Sequence, residues 1–364
     1  MKSIFNILIP VIVFAWSSKV AQGQHEQIIK LENPTIKISP KHYRLESVID
    51  RRKHSSDNGK IFTTGGKLTE VRFSQSTENS IQAYCDKILE QDTSLVPVRI
   101  SIDKLHFTDV GTAAKHTLTL QIKLSVIRTI EGKEFEVYGT NGSPSFISQG
   151  ITPGLAEKLV QQSLEALLKG FDEYANSNSE QQTFCSKTEA IFVYDGSYTD
   201  YENSDTIRWK SDYKLKWTDF QGKPDPASNF SAQSNCMFSY KSKIEYKSGI
   251  MKMSLFLYPC FTKKASWVVE QNQQEGLLNH EQLHFDICEL YIRKLRKQIS
   301  GMSLGILDPG SQIRTAFEQA WQDYQSAQSL YDDETRHGLI EKEQKRWETS
   351  ILEQLKSYEE FATQ

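Results

Sequence analysis

Beyond its first two dozen residues the chain has no run of 18 or more apolar residues, which excludes an internal helical membrane span. It also lacks an excess of either charge. The 43 basic and 46 acidic side chains leave a net −3, so nothing electrostatic points to nucleic acid. Cysteine is scarce and odd in number, five in all, which excludes a dense disulfide scaffold and leaves one thiol unpaired. Histidine is scarce too: eight residues, of which only three lie beyond position 116. What remains is an ordinary globular composition, 38% hydrophobic and 24% charged, with length enough for about two domains.

The N-terminus reads as an export signal. Lys2 supplies a positive start, residues 4–16 a short apolar stretch, and Ala21-Gln22-Gly23 small residues where a signal peptidase reads. The expected product is exported, periplasmic or secreted, with cleavage before Gln24. No cysteine stands at that point, so lipid anchoring is not expected. Export means an oxidising compartment. Cys236 and Cys260 flank Lys247-Ser248-Gly249 in two strand-like stretches, and a disulfide between them is left open. Cys288 reads as a buried thiol.

The pattern of elements predicts an α+β protein of two domains. Residues 24–175 form an α+β domain. It has a strand from Tyr43, a helix capped near Ser76 or Thr77, strands at 98–102 and 118–126, a turn at Glu131-Gly132-Lys133, and a helix over 153–174. Its histidines, His42, His54, His106 and His116, read as surface or satisfied side chains. The polar stretch within 176–188 is a linker. Residues 189–364 form the second domain, a small antiparallel sheet followed by three helices, an order compatible with a zincin-like domain.

The second domain contains His280-Glu281-Gln282-Leu283-His284, an H-E-x-x-H pattern inside a helix predicted over 273–300 with Gly301 closing it. At about 100° per residue, His284 lies about 40° round from His280 and Glu281 about 100° round. Two imidazoles can reach one ion with a carboxylate at its flank, the arrangement of a zinc hydrolase with Glu281 as general base. Glu289 falls about 180° away and is a poor ligand. A catalytic zinc needs a third ligand. His337, followed by Gly338 in a junction between two helices, is the first candidate, and the acids at 332–334 can fix its tautomer. Glu318 on the preceding helix is the competitor. Tyr331 and Arg336, beside His337, are candidates for stabilising an oxyanion.

Four segments carry a resemblance: Leu215-Lys216-Trp217-Thr218-Asp219-Phe220-Gln221-Gly222, Ser266-Trp267-Val268, Leu277 through Ile287, and Tyr331 through Gly338. Together they are similar to the family of predicted secreted zinc-dependent proteases, a bacterial domain of unknown function. The H-E-Q-x-H-F-D core and the closing T-x-H-G are its most specific parts. The resemblance spans about residues 190–360 and leaves the first domain outside. It implies bound zinc and hydrolysis of peptide substrates. A non-proteolytic zinc amidase and an envelope binding module with a structural or idle zinc site are the alternatives.

Overall fold

The computed structural model describes residues 27–194 and 205–363. The export segment expected over residues 1–23 lies outside them. The protein is α+β. It divides into a first unit that ends at Ser186 and includes Tyr246–Gly249, and a second made of Lys187–Glu245 and Ile250–Gln364.

In chain order the first unit has β1 (Ile28–Ile29), β2 (Tyr43–Asp50), β3 (Lys60–Phe62), β4 (Leu68–Glu70), β5 (Arg72–Phe73), α1 (Thr77–Ile88), β6 (Val96–Thr112), β7 (Lys115–Ile130), β8 (Lys133–Gly142), β9 (Ser145–Ser148) and α2 (Leu155–Ser177). The main sheet runs β2-β6-β7-β8, with β9 also on β7. β2 and β6 are parallel, as the crossover through α1 between them allows, and the rest are antiparallel. Leu118, Leu120, Ile122, Leu124 and Val126 of β7 are all buried. They face the apolar stripes of α1 and α2, including Ile81, Tyr84, Leu164 and Phe171. Ser76 caps α1, its side chain accepting from the Asn79 amide.

β6 and β7 are far longer than the strands expected from the sequence. A register shift between Ile102 and Lys104 breaks the two-residue period of β6, so its apolar residues resume out of phase at Leu105 and Phe107. His116 is buried and satisfied, its Nδ1 2.6 Å from Asp109 Oδ1. Residues 176–188 are not simply extended. They comprise the end of α2, a helical turn at Gln182–Phe184 with Phe184 buried, and the start of the next strand.

The second unit has β10 (Lys187–Phe192), β11 (Thr206–Arg208), β12 (Ala232–Gln233), β13 (Cys236–Lys247), β14 (Ile250–Thr262), β15 (Trp267–Val268), α3 (Glu275–Ser300), α4 (Pro309–Thr335) and α5 (Glu341–Ser357). β14 is central, pairing with β10, β11 and β13, while β12 pairs with β15. The expected antiparallel sheet carries one parallel pair, β10 with β14. More than fifty residues separate these strands in sequence, ample for the crossover a parallel pair needs.

β13 and β14 form a hairpin closed by Ser248 and Gly249, both at positive φ (52° and 72°), a two-residue turn whose twist suits the strands. The Thr262 amide donates to the Asn235 carbonyl at 2.9 Å, so the register sets Cys236 opposite Phe261. Cys236 and Cys260 therefore point to opposite faces. All five cysteines are free thiols.

α3 is the axis of this unit, packed on β14, α4 and α5. Leu283, Ile287, Leu290 and Leu295 are buried, each contributing roughly 1.5–3 kcal/mol. Its polar back is anchored as well. Asp286 accepts from Trp209 Nε1 at 2.7 Å, and Gln282 Oε1 accepts from the Leu215 amide at 2.8 Å. Glu289 is fully buried against Arg293 and Thr363, on the far side from the histidines.

Candidate metal centre

Helical phase brings His280 and His284 to one face of α3, with their Nε2 atoms 3.2 Å apart. The facing element is the last part of α4. The helix runs on through Tyr331–Thr335, a stretch whose sequence reads as part of the junction between two helices, so Gln328 and Asp332 stand one turn apart on the same face. Asp332 Oδ1 lies 3.1 Å from His280 Nε2 and 3.0 Å from His284 Nε2.

The other ring nitrogens are committed. His280 Nδ1 lies 3.2 Å from Gln344 Oε1, and His284 Nδ1 is hydrogen-bonded to Gln328 Oε1. Each amide is oriented by its opposite end. Gln328 Nε2 donates to the His284 carbonyl at 2.9 Å, and Gln344 Nε2 donates to Glu348 at 3.0 Å. With the amide oxygens accepting, both histidines keep Nδ1–H, so that Nε2 faces Asp332 as a hydrogen-bond donor when the ring is protonated and as a lone pair for a cation when it is neutral. Two imidazole lone pairs and a carboxylate oxygen then face one another at 3.0–3.2 Å. Acceptors so placed repel unless protons or a metal ion lie among them. Two nitrogens bound to one tetrahedral zinc at about 2.0–2.1 Å are roughly 3.3–3.4 Å apart, close to the observed spacing.

α4 ends in three consecutive left-handed residues, Arg336, His337 and Gly338, at φ 45°, 53° and 83°. This turn hooks His337 back so that its Nδ1 lies 3.3 Å from Asp332 Oδ1. Donor atoms of His280, Asp332 and His337 lie within 4.8 Å of one another, so a His/Asp cluster able to hold a metal ion is present. A Cβ on Gly338 would sit 3.1 Å from His280 Cβ and Cγ, tight enough to press on that ring, and φ of 83° is strained for any other residue. Gly338→Ala is expected to cost about 1–3 kcal/mol of stability and to displace His280. Thermal melts and metal retention under dialysis check this. A variant unchanged in both would contradict it.

The expected site residues separate clearly. His280, Glu281, His284, Arg336 and His337 all line one cleft of about 960 Å³, together with Asp332. Tyr331 does not line it. It is fully buried, stacks on the His280 ring, and its hydroxyl lies 2.7 Å from Gln344 Oε1 and 3.2 Å from the His280 carbonyl. The oxyanion role expected for it does not fit this position. Tyr331 instead holds His280 and Gln344. Glu318 is exposed on α4, outside the cluster, because 14 residues of helix carry it about 21 Å from Asp332. Glu281 is 3% exposed, and its Oε2 has no hydrogen-bond partner among the described residues.

Residues 261–338 match the family model of a bacterial protein of unknown function, DUF922. That span contains the whole donor cluster and ends at Gly338. No curated protein matches the chain. Among solved structures, the crystal structure of protein XCC0632 from Xanthomonas campestris, family-model DUF330, is 11% identical. It covers 45% of this chain and 98% of its own, with a TM-score of 0.26, too low to establish a shared fold.

Titration follows the same geometry. Burial disfavours a charged His284, but the hydrogen bond to Asp332 and the nearby Glu281 carboxylate outweigh it and raise its pKa. Burial likewise opposes ionisation of Asp332, and the hydrogen bonds from His280 and His284 hold it far below the usual carboxylate range. A raised imidazole stabilises the metal-free fold below its unfolded value of about 6.5, and that contribution is lost as pH rises through the folded value. A depressed carboxyl contributes above its unfolded value of about 3.9. The metal-free chain is therefore expected to gain most from this pair between about pH 4 and 6.5. Its melting temperature should fall across neutrality, less so in Asp332→Asn. A rising melting temperature over the same range would contradict this.

Proposed function

We propose that the chain is an exported zinc-dependent peptidase. The observation that carries the reading is the convergence of His280 Nε2, His284 Nε2 and Asp332 Oδ1, their tautomers set by Gln328 and Gln344, beside the unpartnered carboxylate of Glu281. His280 and His284 would hold the ion, and Asp332 would supply the third protein donor from the end of α4, with the more exposed His337 at the cleft edge able to leave a position open for water. Zinc supplies a Lewis acid and brings the pKa of water toward neutrality. Glu281 takes a proton from water in the cleft and returns it to the leaving amine nitrogen. Arg336, exposed on the cleft wall, offers a cation to the carbonyl oxygen as it gains charge. Among the described residues no helix is long and apolar enough to cross a membrane.

The test is metal analysis together with peptide cleavage before and after chelation. Zinc near one per chain, and activity lost on chelation and restored by zinc, are expected. Activity indifferent to chelation would overturn the reading.

A second reading has its own support. Asp332 joining three histidines gives four protein donors, the number that closes a structural zinc site. It leaves unexplained why Glu281 stands buried and unpaired at the cleft. Zinc retained with no hydrolysis of any unfolded protein would favour it.

A further inference from the structure

The metal group accounts for the base of the cleft but not for its walls. One wall is α4, through Trp321, Tyr324 and Gln325. The facing wall is the chain from Asn229 to Met237, which includes β12 and enters β13. Two features of these walls have no evident structural role.

The first is a polar atom. Asn235 is tied down through its backbone, its amide to Ser266 Oγ at 2.8 Å and its carbonyl to the Thr262 amide at 2.9 Å. Its side-chain Oδ1 is buried and has no hydrogen-bond partner among the described residues. An acceptor taken out of water without a donor is destabilising, and such atoms in native folds call for an explanation. The second is apolar surface. Phe230 is 49% exposed, Met237 38% and Leu339 85%, and all three line this cleft. Phe230 packs on the His337 ring, so this apolar rim reaches the metal group itself. Large exposed apolar side chains gathered around a concave site mark where a ligand is covered.

Together these define a ligand. It brings an N–H donor to Asn235 Oδ1, which turns out of its buried position at the cleft wall to accept it, and an apolar group to the rim formed by Phe230, Met237 and Leu339. An extended polypeptide does both, since its backbone offers N–H groups at regular spacing and its side chains alternate toward the wall. Resting on the peptidase reading above, we infer that the substrate is an extended polypeptide with a large apolar side chain beside the hydrolysed bond. Asn235 is a positioning residue that accepts one of its backbone N–H groups, and Leu339 and Phe230 set the apolar preference.

The experiment separates binding from turnover. Full-length protein carrying Glu281→Gln, loaded with zinc, is titrated with two fluorescently labelled peptides that differ only at one central residue, leucine or aspartate. The leucine peptide is expected to bind about tenfold or more tightly, from burial of one aliphatic side chain. Adding Asn235→Ala should weaken both peptides by about 3- to 10-fold, the range for one hydrogen bond. Adding Leu339→Ser should narrow the difference between them. Leu339 is so exposed that its replacement leaves the fold intact, which keeps the test usable if Asn235→Ala is unstable. Metal content of each variant shows that the centre is preserved. Equal binding of the two peptides, no binding of either, or no effect of both substitutions would overturn the inference. Preferential binding without cleavage by the unsubstituted protein would sustain the extended apolar polypeptide as the ligand of this cleft and sink the peptidase reading instead.

Discussion

Glu281→Gln is expected to lower peptide hydrolysis by about 10²- to 10⁴-fold, the usual contribution of a general base, while metal content stays unchanged. Glutamine keeps the volume and one acceptor but cannot take a proton. Glu281 is not among the donors that converge on Asp332 Oδ1, and its Oε2 makes no hydrogen bond among the described residues. Removing its charge therefore leaves the partners of His280 and His284 in place, and relief of a buried unpaired carboxylate is set against the lost attraction to a protonated His284, so the variant should melt near the parent's temperature. Zinc analysis, a melt and a cleavage assay on one preparation decide the matter. Full metal with full activity would remove Glu281 from the chemistry.

Asp332→Ala should abolish stoichiometric zinc binding. Loss of an outer partner typically costs 10- to 100-fold in metal affinity, so a decrease well beyond about 100-fold marks a direct donor. Asp332 stands 3.0–3.3 Å from the donor nitrogens of all three histidines, on the side where their lone pairs meet. His337→Ala removes the most exposed donor, with 47% of its side chain accessible, from a turn at the cleft edge. Its effect should be smaller than that of Asp332→Ala. Competition with a chelator of known affinity gives both numbers. The reverse order would return Asp332 to an outer role and make His337 the third ligand.

How much of this centre is legible in the sequence depends on the range of the interaction. The phase of His280, Glu281 and His284 is local helical geometry, and so is the exclusion of Glu289. Gly338 was readable because a glycine after a candidate ligand signals close backbone approach. Asp332 as a donor was not. The acidic run reads in sequence as part of the junction between two helices, and only the continuation of α4 through Thr335 turns it toward His280 and His284. Gln328, one turn before it, was a usable signal once that helix was extended. Gln344 gave none, since a neutral amide on another helix has no spacing rule. Likewise the bulge in β6 hid half of that strand by shifting the phase of its apolar residues. The parallel partner of β14 depends on a crossover that no local pattern records.

The measurement that bears most directly on the metal centre is X-ray absorption at the zinc edge of the loaded, full-length protein. The account predicts a first shell of nitrogen and oxygen alone at about 2.0–2.2 Å, with the outer-shell pattern of two or more imidazoles. That signal should vanish in His280→Ala combined with His284→Ala. A sulfur shell at about 2.3 Å, which would place the ion on the free thiols instead, or no bound zinc at all, would contradict it.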